Sequence, residues 1–228
     1  MPDHTPPLAD QAFNRLRKDV LIGSFSAGTK LKVDELQAMY GFSSSPLREA
    51  LSRLTQEGLV RSDERRGFRV AAMSSEDLAD ITRMRLMLDV PALEDAIKLG
   101  DDRWEASIVA AYYRLEKVEA RLGDGPVILG EEWSALHRDY HFSLLAACSS
   151  ERQLAWSASL FDQAERYRRF SARHRKTARR KSTEHKRLME AALRRDSATA
   201  CSLLEEHIRS SQRNVDIALR LVDGGERV

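Results

Sequence analysis

The feature that most limits what this chain can become is a change of periodicity near Met73. Up to that point short helical segments and one alternating stretch follow each other closely. Beyond it apolar residues recur at helical spacing almost without interruption, with breaks near Gly100, Gly123-Asp124-Gly125-Pro126, Ser149-Ser150 and Asp196-Ser197, and with a helix, loop and helix start across Arg166 to Lys181. A run of helical period that long folds as a bundle, each helix burying one stripe against its neighbours. A boundary at 73/74 follows, giving domains 1–73 and 74–228. Ser74 or Ser75 accepts the free N–H groups of the next helix, and Glu76 and Asp77 suit its positive end. At 228 residues the chain buries its cores without cross-links. With 42% hydrophobic residues, 32% charged residues and a mean hydropathy of -0.48, it reads as a globular protein of aqueous surroundings. The longest apolar stretch, Ile108 to Tyr113, is too short to cross a bilayer. Met1 to Asp10 holds Pro, Asp and His where an export signal has a basic start and an apolar block, so a cytoplasmic location away from membranes is expected. Cys148 and Cys201 lack CxxC spacing and read as reduced small hydrophobes.

Within the first domain, Leu8, Ala12, Leu16 and Val20 share one helical face, and that helix ends near Gly23. A second helix fits Val33 to Tyr40 and stops at Gly41. A third opens at Ser43-Ser44-Ser45-Pro46, with a serine cap and a proline tolerated in the first turn. Its apolar set, Leu47, Ala50, Leu51 and Leu54, turns inward and leaves Ser44, Ser45, Arg48 and Ser52 outward. Gly58 ends it. Leu59-Val60-Arg61 and Phe68-Arg69-Val70 form a hairpin with the polar tip Asp63-Glu64-Arg65-Arg66-Gly67. This is the layout of a winged helix-turn-helix, and with the helical remainder it makes the chain mainly α: a winged helix-turn-helix followed by an all-α antiparallel bundle.

Dimensions give that layout a use, because the DNA major groove admits one helix whose N-terminal side chains reach base edges. Ser43, Ser44 and Ser45 permit close approach, and Arg48 reaches guanine or phosphate. Arg65, Arg66 and Gly67 at the hairpin tip suit a minor groove or the backbone. The same pattern also fits a small protein-binding module. Net charge, +2, decides nothing, although residues 1–73 carry 11 Lys/Arg against 9 Asp/Glu and so hold the entire excess.

The second domain has five of the six histidines, and four of them have an informative spacing. His137 and His141 are four apart and project from one side of one helix; His185 and His207 lie on two later helices. A bundle that brings three helices together can assemble four imidazoles around a divalent transition metal, whereas isolated histidines on helix faces explain the same letters without one. A zinc-peptidase helix places a Glu directly after its first His; here that residue is Arg138, and Asp139 is turned about 200° from His141. A metal-dependent enzyme is therefore the lesser alternative, and it requires a free carboxylate beside the metal. Arg85 offers paired donors to a carboxylate ligand, or a surface ion pair with Asp89. Arg166 to Lys181 holds nine cations and no acid, and reads as a solvated face whose arginine stems cover apolar surface.

Residues 8 to 72 resemble the DNA-binding domain of the GntR family of bacterial transcription regulators, above all in Pro46-Leu47-Arg48-Glu49-Ala50-Leu51-Ser52-Arg53-Leu54 followed by Glu57-Gly58-Leu59-Val60. Residues 74 to 221 look like the all-helical effector (FCD-type) domain of the FadR subfamily. Trp133 to Cys148 and Leu160 to Arg168 are most similar to the carbon-starvation-induced repressor branch. The resemblance implies a homodimeric regulator, most often a repressor, that binds operator DNA under control of a small organic acid. It implies a metal, Zn or Ni, on His137, His141, His185 and His207, with His137 standing where the family usually has Asp. It places the effector at Arg85 and suggests a dicarboxylate such as glutarate. Three departures matter: Ser44 stands where most members have a base-reading Arg, Asp34 where some have a phosphate-contacting Arg, and the hairpin tip has one Gly where a pair is common. A metabolite-sensing module acting through a protein partner is the remaining alternative.

Overall fold

The computed structural model describes residues 6–63, 67–122, 129–174 and 183–225. The chain divides into two units, Met1–Met73 and Ser74–Val228. In the first, α1 (Leu8–Ile22), α2 (Val33–Tyr40) and α3 (Ser44–Gln56) surround one core, and β1 (Lys30–Leu31), β2 (Val60–Asp63) and β3 (Gly67–Val70) form an antiparallel sheet in the order β1-β3-β2. Ala12, Phe13, Leu16 and Val20 of α1 meet Leu47, Ala50, Leu51 and Leu54 of α3. Leu8 is exposed, so the apolar face of α1 runs through Phe13 instead. Arg53 ties these helices twice, with its guanidinium 4.0 Å from the Phe13 ring centre and 2.6 Å from Asp10. The α2–α3 turn needs Gly41, whose φ of 73° puts it in the left-handed region that a side chain disfavours. β1 has no signature in the sequence, because two residues are too few to show alternation. Its register sets Lys30 opposite Arg69 and Leu31 opposite Phe68. Ser43 occupies the N-cap position of α3, yet its hydroxyl makes no capping hydrogen bond there.

The second unit is all helix: α4 (Ser75–Leu99), α5 (Asp102–Arg121), α6 (Glu131–Leu145), α7 (Glu151–His174), α8 (Glu184–Leu193) and α9 (Ser197–Gly225). Ser74 caps α4 by accepting the Asp77 N–H at 3.2 Å, and Asp101 caps α5 by accepting the Trp104 N–H at 2.9 Å. α4 packs on α7 and α9, α5 on α6, and α8 on α9. Leu93, Ile108, Leu115, Tyr140, Leu144, Leu188 and Leu204 fill the centre. α4 keeps Pro91 in its interior, where the helix loses an N–H donor. Gln153 of α7 donates to the Leu88 carbonyl beside it at 2.7 Å. Cys148 is buried, Cys201 is half-buried, and both are free thiols. Among the described residues no helix is long and apolar enough to cross a membrane.

The α4–α5 corner is closely packed. Trp104 is buried against it and donates its indole N–H to the Leu144 carbonyl at 3.3 Å. A Cβ on Gly100 would lie 2.3 Å from the Trp104 ring and 2.8 Å from the Ala96 carbonyl oxygen. Gly100→Ala is therefore expected to destabilise the helical unit by about 1–3 kcal/mol through overpacking. Thermal unfolding followed by circular dichroism measures this, and an unchanged midpoint would refute the packing described.

Candidate functional site

Two surfaces bring chemistry-bearing residues together, one in each unit. In the first, α3 begins with Ser44 and Ser45 exposed, Arg48 exposed one turn later, and Leu47 and Leu51 buried behind them. A helix start of this kind offers unpaired N–H groups to an anion. Ser44 and Arg48 line one concave surface with Lys30, Lys32, Gly67 and Asp34. Lys30 and Lys32, which no motif marks, arrive through β1 and its pairing with β3. Register sets Lys30 opposite Arg69, and Arg69 opposite Arg61, so three cations lie side by side across the sheet. Like charges facing one another cost stability unless a polyanion offsets them. Gly67 is exposed at a φ of 80°. Arg65 and Arg66 lie outside the described residues.

In the second unit His137 and His141 (α6), His185 (α8) and His207 (α9) meet in the interior. One nitrogen from each lies within 4.8 Å of the others. His137 Nε2 and His141 Nε2 are 3.1 Å apart. Two nitrogens each about 2.0–2.1 Å from a tetrahedral zinc are separated by roughly 3.3 Å, so the spacing suits two ligands of one metal. Protonation offers less: two facing imidazole nitrogens share one proton, while a metal takes both lone pairs. His137 Nδ1 is also buried with no hydrogen-bond partner among the described residues. Trp133 stacks on the His137 ring at 4.4 Å and fixes its plane.

Carboxylates lie beside the other two rings. His207 Nδ1 lies 3.0 Å from Glu184 Oε2, close enough to fix its ring, and His185 Nδ1 lies 3.7 Å from Glu119 Oε1, near enough for charge attraction but not for a hydrogen bond. The Tyr140 hydroxyl donates to the His185 carbonyl at 2.7 Å and holds α8 against α6. Burial drives the His137 and His141 pKa values well below the ordinary 6.5, and the charges of the neighbouring histidines and of Arg168 push the same way. For His207 burial outweighs the opposing pull of Glu184. Neutral imidazole is the form a metal binds. The donor set therefore fits a divalent transition ion, and such an ion could take an anionic ligand by expanding beyond four-coordination. Asp139 is exposed and points elsewhere.

Beside the histidines runs a buried seam of charge. Arg85 is not at the surface: its side chain is 5% exposed and pairs with Asp89 Oδ2 at 2.9 Å. The basic run beginning at Arg166 is likewise not a solvated face at its start. Arg166 is buried, and Arg168 and Arg169 both grip Glu165 at 2.9 Å. Burial acts to raise the Glu165 pKa, but the charge of Arg168, the Ser134 hydroxyl and Arg169 outweigh it and hold the carboxyl below its usual range. The i,i+3 and i,i+4 spacing of Glu165 with these arginines was the available signal. The portion 175–182 lies outside the described residues, Arg175, Lys176, Arg179 and Arg180 with it. Arg138, after His137, pairs with Asp162 at 3.0 Å.

A winged helix-turn-helix with cations around its third helix, joined in one chain to an all-helical unit, defines a DNA-binding transcription regulator. The chain belongs to the GntR family: residues 8–70 match bacterial regulatory proteins of the gntR family, and residues 80–210 match the FCD domain. It is 39% identical over 204 residues to the HTH-type transcriptional regulator BphR of Paraburkholderia xenovorans, covering 90% of this chain and 83% of that one. It is 35% identical over 197 residues to the HTH-type transcriptional repressor GlaR of Escherichia coli, covering 85% and 89%. The fold is shared with Escherichia coli McbR/YncC, at a TM-score of 0.70 and 18% identity over 96% of this chain and 100% of that one.

The depressed histidine values set an acid limit on the metal-free protein. Between the folded values and 6.5, the unfolded chain binds protons that the folded chain refuses, so stability is full above that window and falls as pH drops into it. After chelation the melting temperature is expected to be level from pH 8 to about 7 and to decline from about 6.5 to 5.5. A flat profile would show that the imidazoles are not buried as described.

Proposed function

We propose that this regulator is a homodimeric repressor whose operator affinity is set by a small carboxylate bound beside a Zn or Ni ion in the helical unit. The convergence of four imidazole nitrogens within 4.8 Å carries the reading, because a bundle core has no structural need for four buried bases facing one another. His137, His141, His185 and His207 hold the ion. A neutral four-histidine set leaves the metal its full positive charge, which favours a carboxylate as the further ligand. Arg85, buried one helix away, supplies a guanidinium to the same ligand. Glu119 and Glu184 face the outer nitrogens of His185 and His207, where a carboxylate orients a ligand and does not activate water. This favours sensing over catalysis.

On the DNA side, the start of α3 enters the major groove. Ser43, Ser44 and Ser45 approach closely, Arg48 reaches a base or phosphate, and Gly67, with Arg65 and Arg66 beside it in sequence, follows the backbone. GlaR is named a repressor, and that sign of regulation is proposed here as well. Two copies present two such helices to half-sites about one helical turn, or a multiple, apart. α4 and α7 run side by side, joined by the Gln153–Leu88 contact at one level and by Tyr167 donating to Asp77 at another. Met87 of α4 and Trp156 of α7 are each 63% exposed, and this face is proposed to meet its counterpart in the second copy. The ligand controls affinity by binding one arrangement of the dimer better than another.

Three outcomes are expected. With duplexes enriched by the wild-type chain from a random pool, Arg48→Ala weakens binding about tenfold or more in anisotropy titrations, with the fold unchanged. His141→Ala with His185→Ala removes bound metal by elemental analysis, and full retention would refute the site. Met87→Glu with Trp156→Glu yields monomer in sedimentation velocity where the wild type is dimer; a persistent dimer would move the interface elsewhere.

A further inference from the structure

The start of α4 carries an interaction that neither the histidine cage nor the DNA-facing surface uses. Ser74-Ser75-Glu76-Asp77 has the spacing of a capping box, in which the first side chain accepts the N–H three residues on and the acid there takes the first N–H in return. The Ser74 hydroxyl does accept the Asp77 N–H, at 3.2 Å. The return bond, however, runs through a third group. Tyr167 of α7 accepts the Ser74 N–H on its hydroxyl oxygen at 3.1 Å and donates that hydroxyl to Asp77 Oδ2 at 2.6 Å. Tyr167 is 1% exposed, and the buried guanidinium of Arg166, next to it in sequence, acts by its charge on both the phenol and the Asp77 carboxylate.

An inserted hydroxyl gives this helix start two ways to satisfy one N–H. With the phenol in place the bond is bridged; with the phenol withdrawn, Asp77 takes the Ser74 N–H itself and the box closes. Both ends of the bridge are tied to larger parts. The Ser74 N–H belongs to the peptide bond after Met73, where the two units meet in sequence. Tyr167 lies in the stretch of α7 that is bound to α6, the helix of His137 and His141: Asp162 pairs with Arg138 at 3.0 Å, Glu165 accepts the Ser134 hydroxyl, and the Phe161 ring lies 5.7 and 5.5 Å from the two histidine rings. Asp162 and Tyr167 are about one and a half turns apart, so a shift of α6 against α7 reaches the phenol along a stiff helix.

We propose that Tyr167 is the positioning residue through which the histidine cage acts on the chain leading to the winged helix-turn-helix: the state of the cage decides whether the Tyr167 hydroxyl bridges Ser74 and Asp77 or leaves them to bond each other. The proposal rests on the reading that the helical unit controls DNA affinity. Both arrangements satisfy the Ser74 N–H, so they lie close in free energy, and a modest bias from the cage selects between them. Tyr167 works through the backbone of Ser74 and does not hold the ion.

The experiment measures linkage in the full-length protein at about pH 7.5, where the metal-free form is on the level part of its stability profile. Duplexes enriched by the wild-type chain are titrated by anisotropy with zinc-loaded and with chelated protein. The wild type is expected to change its affinity about fivefold or more between the two forms. Tyr167→Phe, which removes only the hydroxyl, is expected to narrow that ratio to about twofold or less with zinc content unchanged. Asp77→Ala, which prevents the box from closing, narrows it as well, and the two variants settle at opposite ends of the wild-type range, whereas a mere loss of stability moves both the same way. In hydrogen exchange, zinc removal changes the protection of the peptide containing Ser74 in the wild type and not in Tyr167→Phe. A folded Tyr167→Phe that keeps the wild-type ratio overturns the proposal, as do two variants at the same end of the range. If Tyr167→Phe does not fold by circular dichroism, Asp77→Ala decides, and an undiminished ratio in it overturns the proposal. A wild type whose DNA affinity ignores zinc removes control of DNA binding by the cage, and the proposal with it.

Discussion

Four imidazoles meeting in the interior of the helical unit are the constraint around which the rest is arranged. Burying a polar ring without a partner costs free energy, and like bases in contact compound the cost when any of them takes a proton. Three helices supply the rings, so the way this cost is met decides how α6, α8 and α9 sit together. Trp133 stacked on His137, Tyr140 bonded to the His185 carbonyl, and Glu184 at the outer nitrogen of His207 all serve to fix the rings. Such investment in orientation is characteristic of a ligand set, and a hydrophobic layer of the same volume would pack with less trouble.

The charge seam extends the same logic. Phe161 is the shared surface of the two parts, with histidine rings on one side and the guanidiniums of Arg85 and Arg168 over it. α4 contributes Arg85 and is the helix that follows the DNA-binding unit in sequence. In the proposed function, a ligand held at Arg85 acts on this helix. Regulation requires only that the two arrangements bind the ligand unequally.

Much of the architecture was legible because it is written in local periodicity. The three helices of the first unit, the turn at Gly41, the hairpin and the breaks between the long helices follow from apolar spacing and from Gly, Pro and Ser positions. What escaped was non-local. β1 is two residues long and exists through its pairing with β3, so the cations Lys30, Arg69 and Arg61 become neighbours only in the folded sheet. The spacing of His137 and His141 puts them on one side of a helix, but their meeting with His185 and His207 depends on how three helices pack. Arg85 with Asp89 is an i,i+4 pair in either case; burial, which no local pattern gives, turns it from a surface ion pair into part of a seam. Arg168 was hidden within a long basic run whose first members face inward.

The histidine cage is tested most directly by X-ray absorption at the edge of the bound metal in the ligand-free protein. The account predicts four imidazole nitrogens at about 2.0–2.1 Å, with the outer-ring scattering that imidazoles produce. A shell of three imidazoles with a carboxylate oxygen would take His137 out of the site. A protein that binds no transition metal at all would contradict the account.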